Sequence, residues 1–210
     1  MAKPHIITLS GRPGSGKSST ADKVAELLGY QRFSSGNMVR AVLEEKGLTL
    51  AEFNKRAEDE HALDHEIDEQ LRALRSKNDI IVDSRLGFYW LPESFKVFLE
   101  LDMDVATARI FNDVTDNASR KQGAGTAGSL AEVAKQVQER VSNEQRRYRA
   151  LYGVDPYSTK HFDLVINTSR HSPQTVALTI FDNYKKWLER DTWEPVYNEI
   201  PMGYSMKNKY

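Results

Sequence analysis

The feature that most constrains this chain is a glycine-rich segment near its start. Gly11–Ser18 reads GRPGSGKS and satisfies the pattern G-x-x-x-x-G-K-[ST] at every fixed position. The apolar, β-branched run His5–Leu9 precedes it and predicts a buried strand, while apolar residues at helical spacing follow Lys17. Glycines at such a turn let backbone N–H groups converge on phosphate oxygens, and the helix N-terminus adds a positive dipole end. The sequence therefore predicts a phosphate-binding loop rather than an ordinary glycine-rich turn.

The side chains around this loop suggest how it would use ATP. Lys17 is expected to place its charge on the β- and γ-phosphates, and the Ser18 hydroxyl is a candidate ligand for Mg²⁺. Asp83 ends an apolar strand, where a carboxylate holds this metal directly or through water, although a strand-end turn residue is the alternative. The predicted ATP-binding residues are Gly11, Pro13, Gly14, Ser15, Gly16, Lys17, Ser18 and Ser19.

The rest of the chain alternates between short apolar runs and helical patterns. This alternation predicts an α/β fold, a three-layer α/β/α domain around a five-stranded parallel sheet. The expected parts are a single domain over residues 1–190, acceptor-binding helices over 36–77, a lid over 115–150 and a C-terminal tail over 191–210. A capping box at Thr49–Glu52 predicts a further helix, and the Gly/Ala/Ser-rich segment 121–129 predicts a mobile loop.

Composition excludes several classes of protein. The chain has 210 residues, 29 Lys and Arg against 30 Asp and Glu, and no cysteine. A net charge of −1 argues against a nucleic-acid coat or an anionic-membrane binder, and the lack of cysteine excludes thiolate metal sites and disulfide frameworks. No apolar stretch is long enough for a signal peptide or a membrane span, so we expect a soluble, cytoplasmic protein.

The absence of other signatures narrows the class further. No N-K-x-D tetrapeptide occurs, which argues against a GTPase, and transport or unfolding ATPases generally need a longer chain and more motifs. A small kinase remains, in which the loop holds ATP and the rest of the chain holds the acceptor.

A second group of motifs resembles a known family. Phe33–Arg40 reads FSSGNMVR, a strand end followed by Ser-Gly and an arginine four residues after the glycine. With Ser84–Gly87, the Arg140-x-x-x-Glu144-x-x-Arg147 pattern and Phe162–Thr168, the chain resembles nucleoside monophosphate kinases, and among them cytidylate kinases of the archaeal type. The resemblance implies a P-loop kinase fold with inserted monophosphate-binding helices and a lid, Mg²⁺ as cofactor, ATP as co-substrate, and CMP or dCMP as acceptor.

The resemblance also implies roles for individual residues. The implied acceptor-binding residues are Ser35, Gly36, Arg40, Asp68 and Arg85. Planar guanidinium groups match a monophosphate that carries about two negative charges, and Asp68 would accept a hydrogen bond from the cytosine amino group. Asn37 and Ser84 stand where the family usually has Asp and Gly, which leaves the identity of the base open.

The predicted helix that starts at Leu130 points to a lid. At about 100° per residue its apolar side chains form one stripe. The stripe consists of Leu130, Ala134, Val137, Val141, Tyr148 and Leu151. Arg140, Glu144 and Arg147 lie along its edge, where Glu144 is expected to orient both arginines toward the transferring phosphoryl group; a surface salt-bridge ladder is the alternative. The predicted catalytic residues are Lys17, Arg85, Arg140 and Arg147.

Other functions remain open at this point. The same features fit a kinase for another small acceptor, such as AMP, UMP, dephospho-coenzyme A or a sugar acid. A different class is an ATP-switched regulatory protein that docks through its tail, although such a switch has no need of an acceptor-phosphate clamp. The expected partners are small nucleotides, with no nucleic acid and no membrane, for a monomer or weak homodimer.

Overall fold

The structure, a computed structural model, describes residues 3–47, 62–116 and 129–198. Its centre is a parallel sheet with the strand order β2-β3-β1-β4-β5-β6. The strands are β1 (Ile6–Gly11), β2 (Gln31–Ser34), β3 (Ile80–Asp83), β4 (Phe95–Glu100), β5 (Leu164–Asn167) and β6 (Val196–Asn198). Because all of these strands are parallel, their carboxyl ends lie at one edge, where open α/β sheets bind ligands. The predicted α/β class is confirmed.

Helices connect the strands and cover the sheet. They are α1 (Lys17–Leu28), α2 (Ser35–Glu45), α3 (Ala62–Ala73), α4 (Gly87–Trp90), α5 (Met103–Asp116), α6 (Leu130–Tyr152) and α7 (Pro173–Glu189). Single 3₁₀ turns lie at Leu74–Ser76 and Thr159–His161. Ser172 caps α7 by accepting a hydrogen bond from the N–H of Thr175 at 3.2 Å, with Pro173 at the first helical position.

The sheet is buried on both faces, which is why its strands read as continuous apolar runs. Ile7 and Leu9 of β1 share one cluster with side chains of α1 and α7. Ile6 belongs to a second cluster with Val42 of α2 and Leu71 of α3. A third cluster joins Phe98 and Val165 to Val141 of α6. Helices α2, α3 and α6 are thus anchored to the sheet by apolar packing.

The apolar stripe of α6 begins later than the sequence predicts. Leu130 is 53% exposed, and the buried side chains of the helix are Val133, Val137 and Val141. Leu130 is the first residue of the helix, where the Ser129 hydroxyl accepts from the N–H of Glu132 and residues 129–132 are all exposed. The stripe from Val137 onward, which carries the three charged candidates at its edge, keeps the predicted face.

The sheet has a sixth strand, so the predicted five-stranded count is wrong. Val196–Asn198, which lie in the predicted tail, pair with β5 in parallel. Just before them, the indole N–H of Trp193 donates to the carbonyl oxygen of Asp163 at 3.0 Å, and its ring packs on Phe95. A three-residue strand is too short to show a hydrophobic periodicity in the sequence. It is stabilised instead by pairing with a strand that is distant in the sequence.

Some predicted features lie outside the described residues. These are the helix expected to start at Thr49–Glu52, the loop over 121–128 and residues 199–210 of the tail. Among the helices that the structure describes, none is long and apolar enough to cross a membrane.

Candidate active site

The phosphate loop joins β1 to α1 at the carboxyl edge of the sheet. Gly11 has φ +151°, and a Cβ at this position would lie 2.4 Å from the carbonyl oxygen of Leu99, so only glycine fits. Gly16 caps α1 with φ 78°, in the left-handed region that glycine adopts without strain. Glycine therefore lets the loop adopt a backbone conformation in which other residues would be strained. The loop leads directly into the first turn of α1, whose N–H groups have no acceptor within the helix.

Lys17 is folded back over the loop that precedes it. Its ammonium Nζ donates to the carbonyl oxygens of Gly11 at 3.2 Å and Arg12 at 3.3 Å. Burial lowers the pKa of Lys17 well below its usual value, and the nearby charge of Arg85 lowers it further. Phosphate oxygens beside this lysine would favour its charged form, because an opposite charge offsets the cost of desolvation.

Ser18 and Asp83 are brought together as the sequence predicts for a metal site. The Ser18 hydroxyl donates to Oδ2 of Asp83 at 2.9 Å, across the gap between α1 and the end of β3. The described residues contain no cluster of three or more His, Cys, Asp and Glu that could hold a metal alone. One hydroxyl and one carboxylate are hard oxygen donors that suit Mg²⁺, which usually keeps waters and takes its remaining ligands from substrate phosphates. The residues present therefore fit this ion.

Arg85 lies in a buried ion pair that links the end of β3 to α6. Its Nε donates to Oε2 of Glu144 at 2.7 Å, and the two side chains are 13% and 14% exposed. Oε1 of Glu144 accepts from Nε of Arg140 at 3.0 Å, and the Tyr157 hydroxyl also donates to this carboxylate. Burial would raise the pKa of Glu144, but the charges of Arg85 and Arg140 outweigh it and hold that pKa well below its usual range.

Glu144 therefore orients Arg85 and Arg140, and the expectation that it also orients Arg147 is wrong. Arg147 Nη2 donates to the Tyr148 hydroxyl at 3.1 Å and lies 4.0 Å from Oδ1 of Asp64 on α3. Both carboxylate oxygens of Glu144 have other partners, Arg85 and Tyr157 on Oε2 and Arg140 on Oε1. The i+3 spacing of Glu144 and Arg147 could not reveal that Arg85, distant in the sequence, pairs with Glu144.

A cavity next to this network forms the candidate acceptor pocket. Its polar lining brings together Ser35, Asp64, Asp68, Ser84, Arg85 and Arg147. The Ser35 hydroxyl is 3.4 Å from the carbonyl oxygen of Asp83, its acceptor, and Asp68 Oδ2 accepts from the Tyr152 hydroxyl at 2.5 Å. Burial raises the pKa of Asp68, while the Tyr152 hydroxyl acts in the opposite direction. The pocket is built from α2, α3, the segment after β3, and α6.

Gly36 and Arg40 are the acceptor candidates that the structure leaves outside this pocket. The side chain of Arg40 is exposed at the start of α2, its guanidinium donates to the side-chain oxygen of Asn37, and it lies above Gly36. Asn37 is one of the two departures from the resemblance, and here its amide oxygen holds Arg40 along the helix surface.

Asp64 is a pocket residue that the sequence analysis missed. It is 9% exposed, and its Oδ2 is buried with no hydrogen-bond partner among the described residues. The Nε of Arg147 is buried and unpartnered in the same part of the structure. A signal was present, because Asp64, Ile67, Asp68 and Leu71 follow helical spacing, so two acids occupy a stripe that should be apolar. Buried polar atoms without partners are rare and mark a place where a ligand can supply them.

Two further contacts link Tyr157 and the residue after β5 to the phosphate loop. The guanidinium of Arg12 lies 5.6 Å from the ring centroid of Tyr157, whose hydroxyl contacts Glu144. Arg109 on α5 donates to the carbonyl oxygens of Gly14 at 3.5 Å and Thr168 at 2.7 Å. Neither Tyr157 nor Arg109 belongs to a motif, so only the tertiary structure identifies them.

A phosphate loop on a parallel sheet, with an arginine-lined pocket beside it, defines the class of small P-loop kinases. Solved structures agree on the fold: shikimate kinase from Bacteroides thetaiotaomicron superposes with a TM-score of 0.59 over 88% of this chain and 98% of that one, at 14% identity. The model of the cytidylate kinase-like family matches residues 6–170.

Curated relatives agree with that match. Cytidylate kinase of Halobacterium salinarum is 33% identical over 84% of this chain and 88% of its own length. Cytidylate kinase of Methanopyrus kandleri is 36% identical over 80% and 86%. The chain belongs to the cytidylate kinase-like family, which confirms both the predicted resemblance and the predicted enzyme class of nucleoside monophosphate kinases.

Proposed function

We propose that this protein transfers the γ-phosphoryl group of ATP to a nucleoside monophosphate, with CMP and dCMP as preferred acceptors. The observation that carries the proposal is the pocket beside the phosphate loop, where Arg85 and Arg147 lie together with two buried carboxylates, Asp64 and Asp68. A monophosphate needs a guanidinium group such as that of Arg85, and a base with an amino group beside ring acceptors needs the carboxylates together with a donor such as Arg147.

On the donor side, the loop backbone and Lys17 bind the phosphates of ATP. Mg²⁺ held by Ser18 and Asp83 would neutralise charge on the β- and γ-phosphates. Phosphoryl transfer requires little covalent chemistry from the protein, so positioning and charge stabilisation provide most of the rate. Arg85 and Arg140, held by Glu144, place positive charge near Lys17, where the transferred group passes.

On the acceptor side, hydrogen-bond complementarity favours cytosine over uracil. Cytosine presents an amino donor beside ring acceptors, and the pocket offers the acceptor Oδ2 of Asp64 and the donor Nε of Arg147, both unpartnered in the described structure. Uracil presents a carbonyl oxygen in place of the amino group, which would face the carboxylates of Asp64 and Asp68 without a hydrogen. A mismatch of this kind leaves buried groups unpaired, which is how sites reject close analogues.

The proposal is tested by coupled ADP release with CMP, dCMP, UMP and AMP as acceptors. We expect kcat/KM for CMP and dCMP to exceed that for UMP by about 10² or more. Equal rates for the pyrimidines would contradict the role of the carboxylates. ATP turnover that no monophosphate stimulates would contradict the kinase assignment and favour the ATP-switched regulatory protein.

A variant of Asp64 tests the base contact directly. Asp64→Asn keeps the shape of the side chain and adds an amide donor, so kcat/KM for CMP should fall by about 10-fold to 10²-fold while relative use of UMP rises. Glu66→Gln on the same helix is the matched control, because Glu66 forms an exposed pair with Lys46 at 2.7 Å and does not line the pocket. The same loss in both variants would assign the effect to the helix rather than to the base.

A further inference from the structure

An arginine that no motif contains lies against the carboxylate of the candidate metal site. Nη2 of Arg32, on β2, donates to Oδ2 of Asp83 at 2.9 Å. The same oxygen accepts from the Ser18 hydroxyl at 2.9 Å. Nη1 of Arg32 donates to Oδ1 of Asp22 on α1 at 2.6 Å. One guanidinium therefore bridges the end of β3 and the first turns of α1, next to the phosphate loop.

Burial strengthens the contact of Arg32 with Asp83 more than its contact with Asp22. The side chain of Asp83 is 7% exposed and that of Arg32 is 20% exposed, whereas Asp22 is 63% exposed. The Nε of Arg32 is buried and has no partner in the part of the chain that the structure describes. Charges interact more strongly away from water, and a guanidinium stays protonated in proteins. Arg32 is thus a permanent positive charge on this carboxylate.

A carboxylate that is already paired binds a second cation less well. Both hydrogen bonds that the described structure shows on the Asp83 carboxylate fall on Oδ2. A divalent ion that approaches the site without phosphate therefore meets the fixed charge of Arg32 on the carboxylate that would bind it. When nucleotide phosphates are present, their negative charges offset that positive charge.

We propose that Arg32 is a positioning residue that serves as a resident counter-ion of Asp83 and keeps divalent metal out of the nucleotide-free site. Metal then enters only together with the phosphates of the bound nucleotide. The inference rests on the proposed function in one respect, namely that Asp83 faces the metal that accompanies ATP. It assigns Arg32 no contact with either substrate.

The test measures Mn²⁺ binding to the nucleotide-free protein by the electron paramagnetic resonance signal of free Mn²⁺. Arg32→Gln keeps a donor for Asp83 but removes the charge, so we expect Mn²⁺ to bind about 10-fold more tightly than to the wild type. Arg32→Lys keeps the charge and should stay within about 3-fold of the wild type. The double variant Arg32→Gln with Asp83→Asn should lose the gain, because the ligand itself is gone.

A matched control and a wild-type measurement complete the design. Arg149→Gln removes an exposed arginine whose partner, at 2.6 Å, is Asp155 rather than Asp83, and should leave Mn²⁺ binding unchanged. In the wild type, ADP should tighten Mn²⁺ binding by about 10²-fold or more, a coupling that does not depend on how any variant folds.

Two results would overturn the inference. One is unchanged Mn²⁺ affinity in folded Arg32→Gln, and the other is wild-type Mn²⁺ binding that is equally tight with and without ADP. Neither measurement uses an acceptor, so failure of CMP phosphorylation would reject the proposed function and leave these readouts interpretable on their own.

Discussion

The donor and acceptor sides of the candidate active site are built in opposite ways. The donor side is built mainly from one continuous segment, Gly11–Ser18, in which Lys17 contacts carbonyl oxygens of its own loop, with Asp83 added from the end of β3. The acceptor side collects side chains from α2, α3, α6 and the segment after β3. A contiguous site can be recognised from the sequence, whereas an assembled one depends on tertiary contacts between distant residues.

The two sides also differ in how their charges are balanced. Among the described residues, Lys17 has only carbonyl partners, and burial lowers its pKa. Each buried arginine of the acceptor side instead has an acidic or phenolic partner: Arg85 has Glu144, and Arg147 has Tyr148 and Asp64. Burial would lower the pKa of Arg85, but Glu144 and Tyr157 outweigh it and raise that pKa. The donor cation is therefore unpaired before phosphate binds, while the acceptor arginines are held in position in advance.

The largest effect should come from the unpaired cation. Lys17→Met is expected to lower kcat by about 10⁴-fold, in the range that a single charge on the transferring phosphoryl contributes. The melting temperature should change little, because no carboxylate loses its partner. Lys23→Met on the same helix serves as the control in the ADP-release assay. A loss of kcat below 10-fold in Lys17→Met would contradict the contrast between an unpaired donor cation and the paired arginines of the acceptor side.

The second effect tests whether the lid arginine acts on the reaction. Arg140→Met should lower kcat by about 10³-fold, by analogy with arginine fingers, although its side chain is 60% exposed and its removal should not unfold the protein. Lys135→Met, on the same helix and more exposed, should keep full turnover. If Arg140→Met also keeps full turnover, Arg140 does not stabilise charge in the reaction and α6 has only a structural role.

The third effect concerns stability and its pH dependence. Glu144→Gln leaves Arg85 buried without its counter-ion and should lower the free energy of unfolding by about 3 kcal/mol near pH 7. The folded-state pKa of Glu144 lies below its ordinary value of 4.5, so its stabilisation is complete above that pH and is lost as the pH falls toward the folded-state pKa.

Urea denaturation at several pH values measures this difference. The gap between wild type and Glu144→Gln should be constant from about pH 6 to 8 and should narrow below about pH 4. Glu139→Gln, on an exposed face of the same helix, should show no such gap. A gap that widens in acid would mean that the ion pair does not stabilise the fold.

The smallest effect is expected at Arg40, the acceptor arginine whose side chain is solvent-exposed. Arg40→Met should raise KM for the monophosphate by about 10-fold with kcat nearly unchanged, as expected for an exposed charge that contributes binding alone. Lys46→Met at the end of the same helix is the control. A large fall in kcat would place Arg40 with Arg85 and blur the distinction between an exposed and a prepositioned arginine.

The sequence predicts the parts of the site that depend on local patterns. The phosphate loop, the position of Asp83 at the end of a strand and the face of α6 from Val137 onward all follow from spacing of a few residues. The Glu144–Arg85 pair could not be predicted, since the two residues are far apart in the chain and the helix offered two nearer arginines. Arg32 was equally hidden, because a charged residue on a short edge strand has many possible partners.

The sixth strand has a practical consequence for anyone who shortens this protein. A cut after Arg190, at the boundary that the sequence suggests for the domain, would remove Trp193 and all of β6. Strand β5 would then present its unpaired N–H and carbonyl groups to water, which is a template for edge-to-edge aggregation. Strand β5 leads directly to Thr168, whose carbonyl binds Arg109 and whose hydroxyl donates to the phosphate-loop carbonyl of Ser15 at 3.3 Å. Strand β6 thus protects the chain from aggregation. Through β5 and Thr168 it also supports the shape of the phosphate loop.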